Sequence, residues 1–247
     1  MKTNIDNQNR LDDAIFISGA GQRVGFYVAK QFLQTTSFPV VFSYYEPHAQ
    51  VDELVKLGGI GFQADFTDLD GLEHLVSQIK ANVSSLRAVI HNASVWLDDE
   101  QAPVNSAAYH SLFQLHVDAP IYLNEALYPL LMNSVSTLKD IISLSDFSVA
   151  QPKAETVAYL ASKAALQNLA QNYALKFAPD IKVNDIAPGL IRFNEWDDEV
   201  CKAKRLAQNA LPFEPREEVL WQAIQYVMNS PYTTGVSVPV NGGSHLL

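Results

Sequence analysis

Two residues four positions apart can carry proton chemistry here. In "YLASK", Tyr159 and Lys163 stand at i and i+4, which on a helix places both side chains on one face within mutual reach. A phenol ordinarily titrates near about 10. A neighbouring ammonium favours the phenolate and draws that value down, toward a range suited to proton transfer. Thirteen positions before Tyr159, in "LSDFSV", the carboxylate of Asp146 follows an apolar run. Two readings of it stand open. It is a cap or turn residue at a strand end, or it belongs to the same proton chemistry. An ionised carboxylate would repel a developing alkoxide, which is poor chemistry for ketone reduction. A C=N bond makes a different demand, because hydride goes to carbon and nitrogen takes a proton from an acid, a phenol or a relayed water.

The second chemical feature is "SGAGQRVG", directly after the apolar run "AIFIS" and before helix-forming residues that begin near Val24. Gly19, Gly21 and Gly25 let backbone approach a pyrophosphate closely, and the following helix N-terminus offers free N–H groups and partial positive charge. A tight strand-to-helix turn without a ligand is the alternative. Arg23 lies at the helix start, where a cation is unfavourably placed in the helix dipole. That placement favours an anionic ligand.

Elements that could position these groups follow from periodicity. Short apolar runs at 14–18, 39–44, 59–64, 86–91, 140–145, 181–186 and 236–240 alternate with helix-forming stretches such as 24–35, 68–81 and 156–178. Strands that are continuously apolar are buried on both faces, which predicts a parallel sheet covered by crossover helices. The fold class is therefore α/β, a doubly wound sheet. No composition shift, linker or repeat divides the chain, so 13–247 reads as one domain and the polar stretch 1–12 as a disordered leader. Ligands of such sheets bind beyond the C-terminal strand ends. No apolar run approaches the ~20 residues of a membrane span. The net charge of −10 opposes a nucleic-acid partner. The single cysteine excludes an internal disulfide and a Cys-based metal cluster, and fits a reducing cytoplasm.

With these residues in hand, the chain from 14 to 243 resembles the short-chain dehydrogenase/reductase family. The family pattern Thr-Gly-x-x-x-Gly-x-Gly is matched with Ser18 for Thr and Arg23 for the middle Gly. "GFQADFTD" places Asp65 where the family contacts adenine, and "HNASVW" gives Asn92, Ala93 and Ser94 for its Asn-Asn-Ala-Gly motif. "VNDIAPGLI" supplies Asn184, Pro188 and Gly189, and "TGVSVPVNGG" matches the last strand. The resemblance implies a Rossmann fold with a mainly parallel seven-stranded sheet and a nicotinamide cofactor. That cofactor would lie against Gly19, Gly21, Arg23, Val24 and Gly25, then Tyr44 and Asp65, then Asn92, Ala93 and Ser94, with Pro188 and Gly189 beyond. Tyr159 and Lys163 would touch it too, Lys163 through the nicotinamide ribose.

Most of the family carries Ser where Asp146 stands. Pteridine reductases are similar to this chain in having Asp there, Arg at position 23, and an aromatic where Trp96 lies. The resemblance implies catalytic Asp146, Tyr159 and Lys163, and a pterin held by Arg23, Ser94, Trp96, Asp146 and Tyr159. Taken alone, Trp96 could equally be a core residue. "LRAVIHNASVW", "LHVDAP", "KVNDIAP" and "RFNEWDD" resemble the dihydromonapterin-reducing branch of the family most. There, His116 stands in place of a catalytic Asn; a buried core histidine is the other reading. Ser43 and Tyr44 are not acidic, which points to NADPH rather than NADH. The segment 190–212 matches the family's substrate lid, with Phe193 and Trp196 closing over the pterin. The Ala-rich 161–170 face and the 105–131 helix match its tetramer surfaces. A carbonyl or enoyl reductase, and a non-catalytic NADP-sensing protein, are the competing functions.

Overall fold

The computed structural model describes residues 10–151 and 153–247, so most of the predicted leader lies outside them. The apolar runs form seven parallel strands: β1 (Ala14–Ile17), β2 (Val40–Tyr44), β3 (Ile60–Gln63), β4 (Leu86–His91), β5 (Asp140–Leu144), β6 (Lys182–Pro188) and β7 (Ser237–Val240). They lie in the order β3-β2-β1-β4-β5-β6-β7. The chain reverses direction across the sheet between β1 and β4. That crevice, beyond the strand C-termini, is where such sheets bind ligands.

Alternation along β1 divides the core. Ala14 and Phe16 face the layer of α3 (Leu69–Asn82), α5 (Ala119–Met132) and α6 (Val157–Lys176). Ile15 and Ile17 face α1 (Arg23–Thr35), α2 (Ala49–Lys56) and α8 (Glu218–Asn229). Side chains of a strand alternate between faces, so a sheet filled on both sides must be apolar at every position, as β1, β4 and β5 almost are. At the N-terminal ends of the middle strands a buried carboxylate fixes the register. Asp140 accepts from Arg87 at 2.5 Å and lies 2.9 Å from Lys182, which ties β4, β5 and β6 together. Arg87 also donates to the carbonyl of Met228, and Lys182 to those of Val227 and Ser230, at the end of α8. Burial raises the Asp140 carboxyl's pKa and the two cations pull it back.

One expectation changes in detail. The helix predicted over 105–131 is broken into α4 (Ala107–Phe113), a π-helical turn Gln114–Asp118, and α5. The π turn widens the spiral by one residue and swings His116 into the interior. The 190–212 segment carries one short helix, α7 (Glu199–Leu206). No helix among the described residues is long and apolar enough to cross a membrane.

Candidate active site

The glycine loop is held open by hydrogen bonds to two neighbouring strands. Ser18 Oγ accepts from the backbone of Asn92 (3.0 Å) and Ala93 (2.9 Å). Asn92 Nδ2 donates to the carbonyls of Ser18 (3.0 Å) and Gly19 (2.9 Å), and the Gly19 N–H reaches Ser43 Oγ (3.1 Å). Gly19 has φ +66°, and a Cβ there would lie 2.7 Å from the Ala93 Cα. At Gly25 a Cβ would lie 2.4 Å from Asn92 Nδ2 and 2.5 Å from the Gly19 carbonyl. Only glycine fits at either place. Arg23 departs from this logic. It takes φ +52° with a full side chain, a conformation that disfavours anything but glycine. Its guanidinium donates to Asn194 Oδ1 at 3.2 Å, bridging α1 to the 190–212 segment. The first turn of α1 carries no acidic residue, and Gln22 supplies no side-chain cap, so its N–H groups are free for an anion.

Beyond this loop runs a cleft of about 1060 Å³. Every residue named above as cofactor- or substrate-binding lines it, apart from the aromatic pair Phe193 and Trp196 of the 190–212 segment. Asp65 stands at one end, its Oδ1 accepting from the N–H (2.8 Å) and hydroxyl (2.7 Å) of Thr67. Near the end of β2 the wall carries Tyr44, Tyr45, Glu46 and His48, while Ser43 is buried and spent on the Gly19 N–H. The volume, the glycine cradle and the free helix N-terminus fit a dinucleotide.

At the other end lie Asp146, Tyr159 and Lys163. Asp146 caps a turn and also touches the phenol. Its Oδ1 accepts from the Ser148 N–H at 2.7 Å, capping the 3₁₀ turn Phe147–Ala150, and its Oδ2 accepts from the Tyr159 hydroxyl at 3.1 Å. Lys163 Nζ donates to the Leu144 carbonyl at 2.9 Å and sits 5.9 Å from the Tyr159 ring centre. The expected lowering of the phenol does not occur. Burial, then the Asp146 charge and hydrogen bond, push Tyr159 well above its usual range. The phenol is held protonated, a donor. Lys163 moves the opposite way, to about 8, because burial disfavours the ammonium more than Asp146 and Asp185 favour it.

Asp185 was no candidate from the sequence, yet it braces this end of the sheet. Fully buried on β6, it accepts from the Ser145 N–H (3.1 Å) and hydroxyl (2.6 Å) and from Ser237 Oγ (2.5 Å). A lone charge inside the apolar run "VNDIAP" was the available signal. Asn184 turns away, bonding Thr233 and Val236.

His116 belongs to a hydrogen-bonded chain into the cleft. Ser162 Oγ donates its one proton to the Tyr159 carbonyl (2.7 Å), so at 2.8 Å it must accept from His116 Nδ1. Burial, and then Lys163, lower the imidazole to about 2, so it is neutral and Nε2 is unprotonated. Ser94, 2.9 Å away, therefore donates to Nε2. Its oxygen is left with acceptor capacity only on the cleft side.

Trp96 is no core residue. It is 58% exposed at the mouth of the cleft and also borders a second cavity of about 480 Å³, which shares Asp146 and Gly189 with the first. Phe193 and Trp196 line neither cavity. Phe193 packs under Arg205 (5.7 Å) and Trp196 is 79% exposed. The 190–212 residues that reach the cavities are Leu190, Ile191, Arg205, Ala207, Gln208 and Asn209.

Comparison with known proteins followed the same lines. Residues 13–203 match the family model of short chain dehydrogenases. The chain is 40% identical to the dihydromonapterin reductase of Klebsiella pneumoniae, over 94% of this chain and 96% of that one. Among solved structures it is similar to the FolM alternative dihydrofolate reductase 1 of Brucella suis in complex with NADP (TM-score 0.82, 22% identity, 95% and 96% covered). It is also similar to a 4-hydroxyisoleucine dehydrogenase complexed with NADH (TM-score 0.86, 21% identity, 96% and 100% covered). At these identities the structural likeness is one of fold.

The left-handed backbone at Arg23 sets up a test that reverses the usual helix preference. Arg23→Gly is expected to be more stable than Arg23→Ala by about 1 kcal/mol, measured by urea unfolding; the ordinary order, with Ala ahead, would show that position 23 is not held at positive φ.

Proposed function

The chain belongs to the short-chain dehydrogenase/reductase family, and on that premise we propose that it reduces the C=N bond of a 7,8-dihydropterin with NADPH, 7,8-dihydromonapterin being the substrate. The family makes it an oxidoreductase; the pterin is the finer claim. One observation carries it: the Asp146 carboxylate accepts the Tyr159 hydroxyl inside the cleft, at 3.1 Å. A carbonyl substrate placed against Tyr159 would put its developing negative oxygen beside a negative carboxylate. A ring imine avoids this, because its more basic nitrogen can take a proton as or before hydride arrives, so that no free anion develops beside the carboxylate. The name of the Klebsiella relative supports the same class.

Bound NADPH would supply the hydride. The chain's own residues do the rest. Arg23, left without an acidic neighbour in the first turn of α1, would meet the cofactor phosphates and one pterin edge. Trp96 offers the exposed indole face on which a flat heteroaromatic stacks. Ser94, its proton committed to His116, accepts an N–H from the pterin edge. Tyr159 and Asp146 share one hydrogen bond and hold the transferable proton. The raised Tyr159 keeps that proton until the ring nitrogen is seated against it, and releases it as hydride reaches the adjacent carbon. Nitrogen then takes it, and water restores it to the pair. Lys163, buried beneath the phenol, supplies the positive charge that offsets the carboxylate and would hold the nicotinamide ribose.

The cofactor choice rests on the absence of an acid from the end of β2, where Ser43 and Tyr44 stand. Glu46 on the same wall weighs the other way. A cytoplasmic site, a homotetramer and a lid over 190–212 belong to this proposal as well, the lid resting on the Arg23–Asn194 hydrogen bond.

Asp146→Ser is expected to lower kcat on 7,8-dihydromonapterin by about 100-fold or more, while the NADPH dissociation constant, read by fluorescence titration, stays within about twofold. An unchanged kcat would return Asp146 to its capping role. The pH profile follows from Lys163. Its ammonium is charged below about 8 and neutral above, so kcat/KM should fall as pH rises through 8; a flat profile to pH 10 would deny the ammonium a part.

A further inference from the structure

Trp96 and Tyr159 reach the cleft from different segments, the loop after β4 and the first turn of α6. A flat ring stacked on one is protonated by the other only if the two segments keep a fixed separation. The start of α6 shows what fixes it. An α-helix leaves its first N–H groups without intrahelical partners, and a Thr just before the helix commonly meets them with its own hydroxyl. Thr156 stands at that position and does not. It makes no side-chain cap, and its buried Oγ1 has no hydrogen-bond partner among the described residues. The cap comes instead from Asp99. Its Oδ2 accepts from the Val157 N–H at 3.1 Å and its Oδ1 from the Ala158 N–H at 3.3 Å. Its own N–H donates to the Glu155 carbonyl at 3.0 Å.

The loop holds Asp99 in place for this. Asp98 Oδ1 accepts from the Gln101 N–H (2.8 Å), the Asp98 N–H donates to Gln101 Oε1 (3.2 Å), and the Asp98 carbonyl accepts from the Ala102 N–H (2.9 Å). Val95, Leu97 and Ala102 of the loop pack in one apolar cluster with Ala158 and Tyr159 of α6 and Leu112 of α4. Apolar packing presses the two segments together without setting a direction. The carboxylate's hydrogen bonds set it. Asp99 itself lines neither cavity.

We propose that Asp99 is a positioning residue for the reduction: by capping α6 from the loop that bears Trp96, it keeps the stacking face and the Tyr159 hydroxyl at one separation. The proposal rests on the pterin reading for what is stacked there, and adds a residue that touches neither substrate nor cofactor.

Two measurements test it. In hydrogen–deuterium exchange read by mass spectrometry, Asp99→Ala should speed exchange in peptides spanning 94–102 and 156–163 together, by about threefold or more, the size of a lost cap. In steady-state kinetics on 7,8-dihydromonapterin with NADPH, the same variant should lower kcat/KM about tenfold, with the NADPH dissociation constant within about twofold of wild type. Asp99→Asn keeps a capping oxygen and should stay within about threefold of wild type in both. Trp96→Ala removes the stacking face, so adding Asp99→Ala to it should cost about threefold less in kcat/KM than Asp99→Ala costs alone. Faster exchange in only one of the two peptides, additive losses in the double variant, or an Asp99→Asn no better than Asp99→Ala would overturn the proposal. A wild type that reduces no dihydropterin would overturn the pterin reading beneath it, and exchange in the two peptides would still decide whether Asp99 couples them.

Discussion

An ammonium buried to 3% exposure has to be met by oxygen, and the end of β5 is organised around that need. The Leu144 carbonyl takes the Lys163 proton directly. One residue on, Ser145 is fastened through both its N–H and its hydroxyl to buried Asp185. One further, Asp146 turns a carboxylate to Tyr159. Three consecutive residues thus supply a dipole, a brace and a charge. Lys163 is drawn two ways, down by burial and up by two carboxylates, and comes to rest near neutrality. Without Asp185 the strand end would lose the contacts that set its direction, and Asp146 would lose its aim at the phenol.

The glycine loop obeys a similar economy. Ser18, Ser43 and Asn92 spend their polar groups on backbone, so the loop's shape exists before any ligand binds. Arg23 is the exception that buys something, holding a left-handed conformation in order to present a guanidinium where the wider family has glycine. Together with the acceptor-only Ser94 and the exposed Trp96, it makes one end of the cleft suited to a flat ring edged with N–H groups. The proton pair then decides what such a ring can undergo.

Much of this was readable from residue order. Seven apolar runs of strand length, each ended by a polar or glycine-bearing stretch, predicted the parallel sheet, and observed strands begin and end within a residue or two of those runs. The glycine loop and the Tyr159, Lys163 and Asp146 set were recognisable because their spacing is local. Features that depend on contacts across the sheet were not. Nothing in "VNDIAP" says that Asp185 bonds a serine 40 residues earlier. The π turn at His116 looked like uninterrupted helix, since one extra residue per turn leaves no mark in composition. The ammonium's effect on Tyr159 was misjudged because the sequence does not show that Lys163 points at a carbonyl and that the phenol is buried against a carboxylate. Phe193 and Trp196 were aromatic and nearby in the chain, but Phe193 packs under Arg205, Trp196 points to solvent, and the 190–212 segment presents Gln208 and Asn209 to the second cavity instead.

The central claim is that hydride crosses to a carbon of a C=N bond while the Tyr159 and Asp146 pair protonates the nitrogen. It is tested most directly by following the label from NADPH deuterated at its transferable position, with a 7,8-dihydropterin as acceptor and NMR of the product. Deuterium should appear on the ring carbon beside the reduced nitrogen, with none lost to solvent. Unlabelled pterin alongside labelled alcohol from an added ketone would contradict the account.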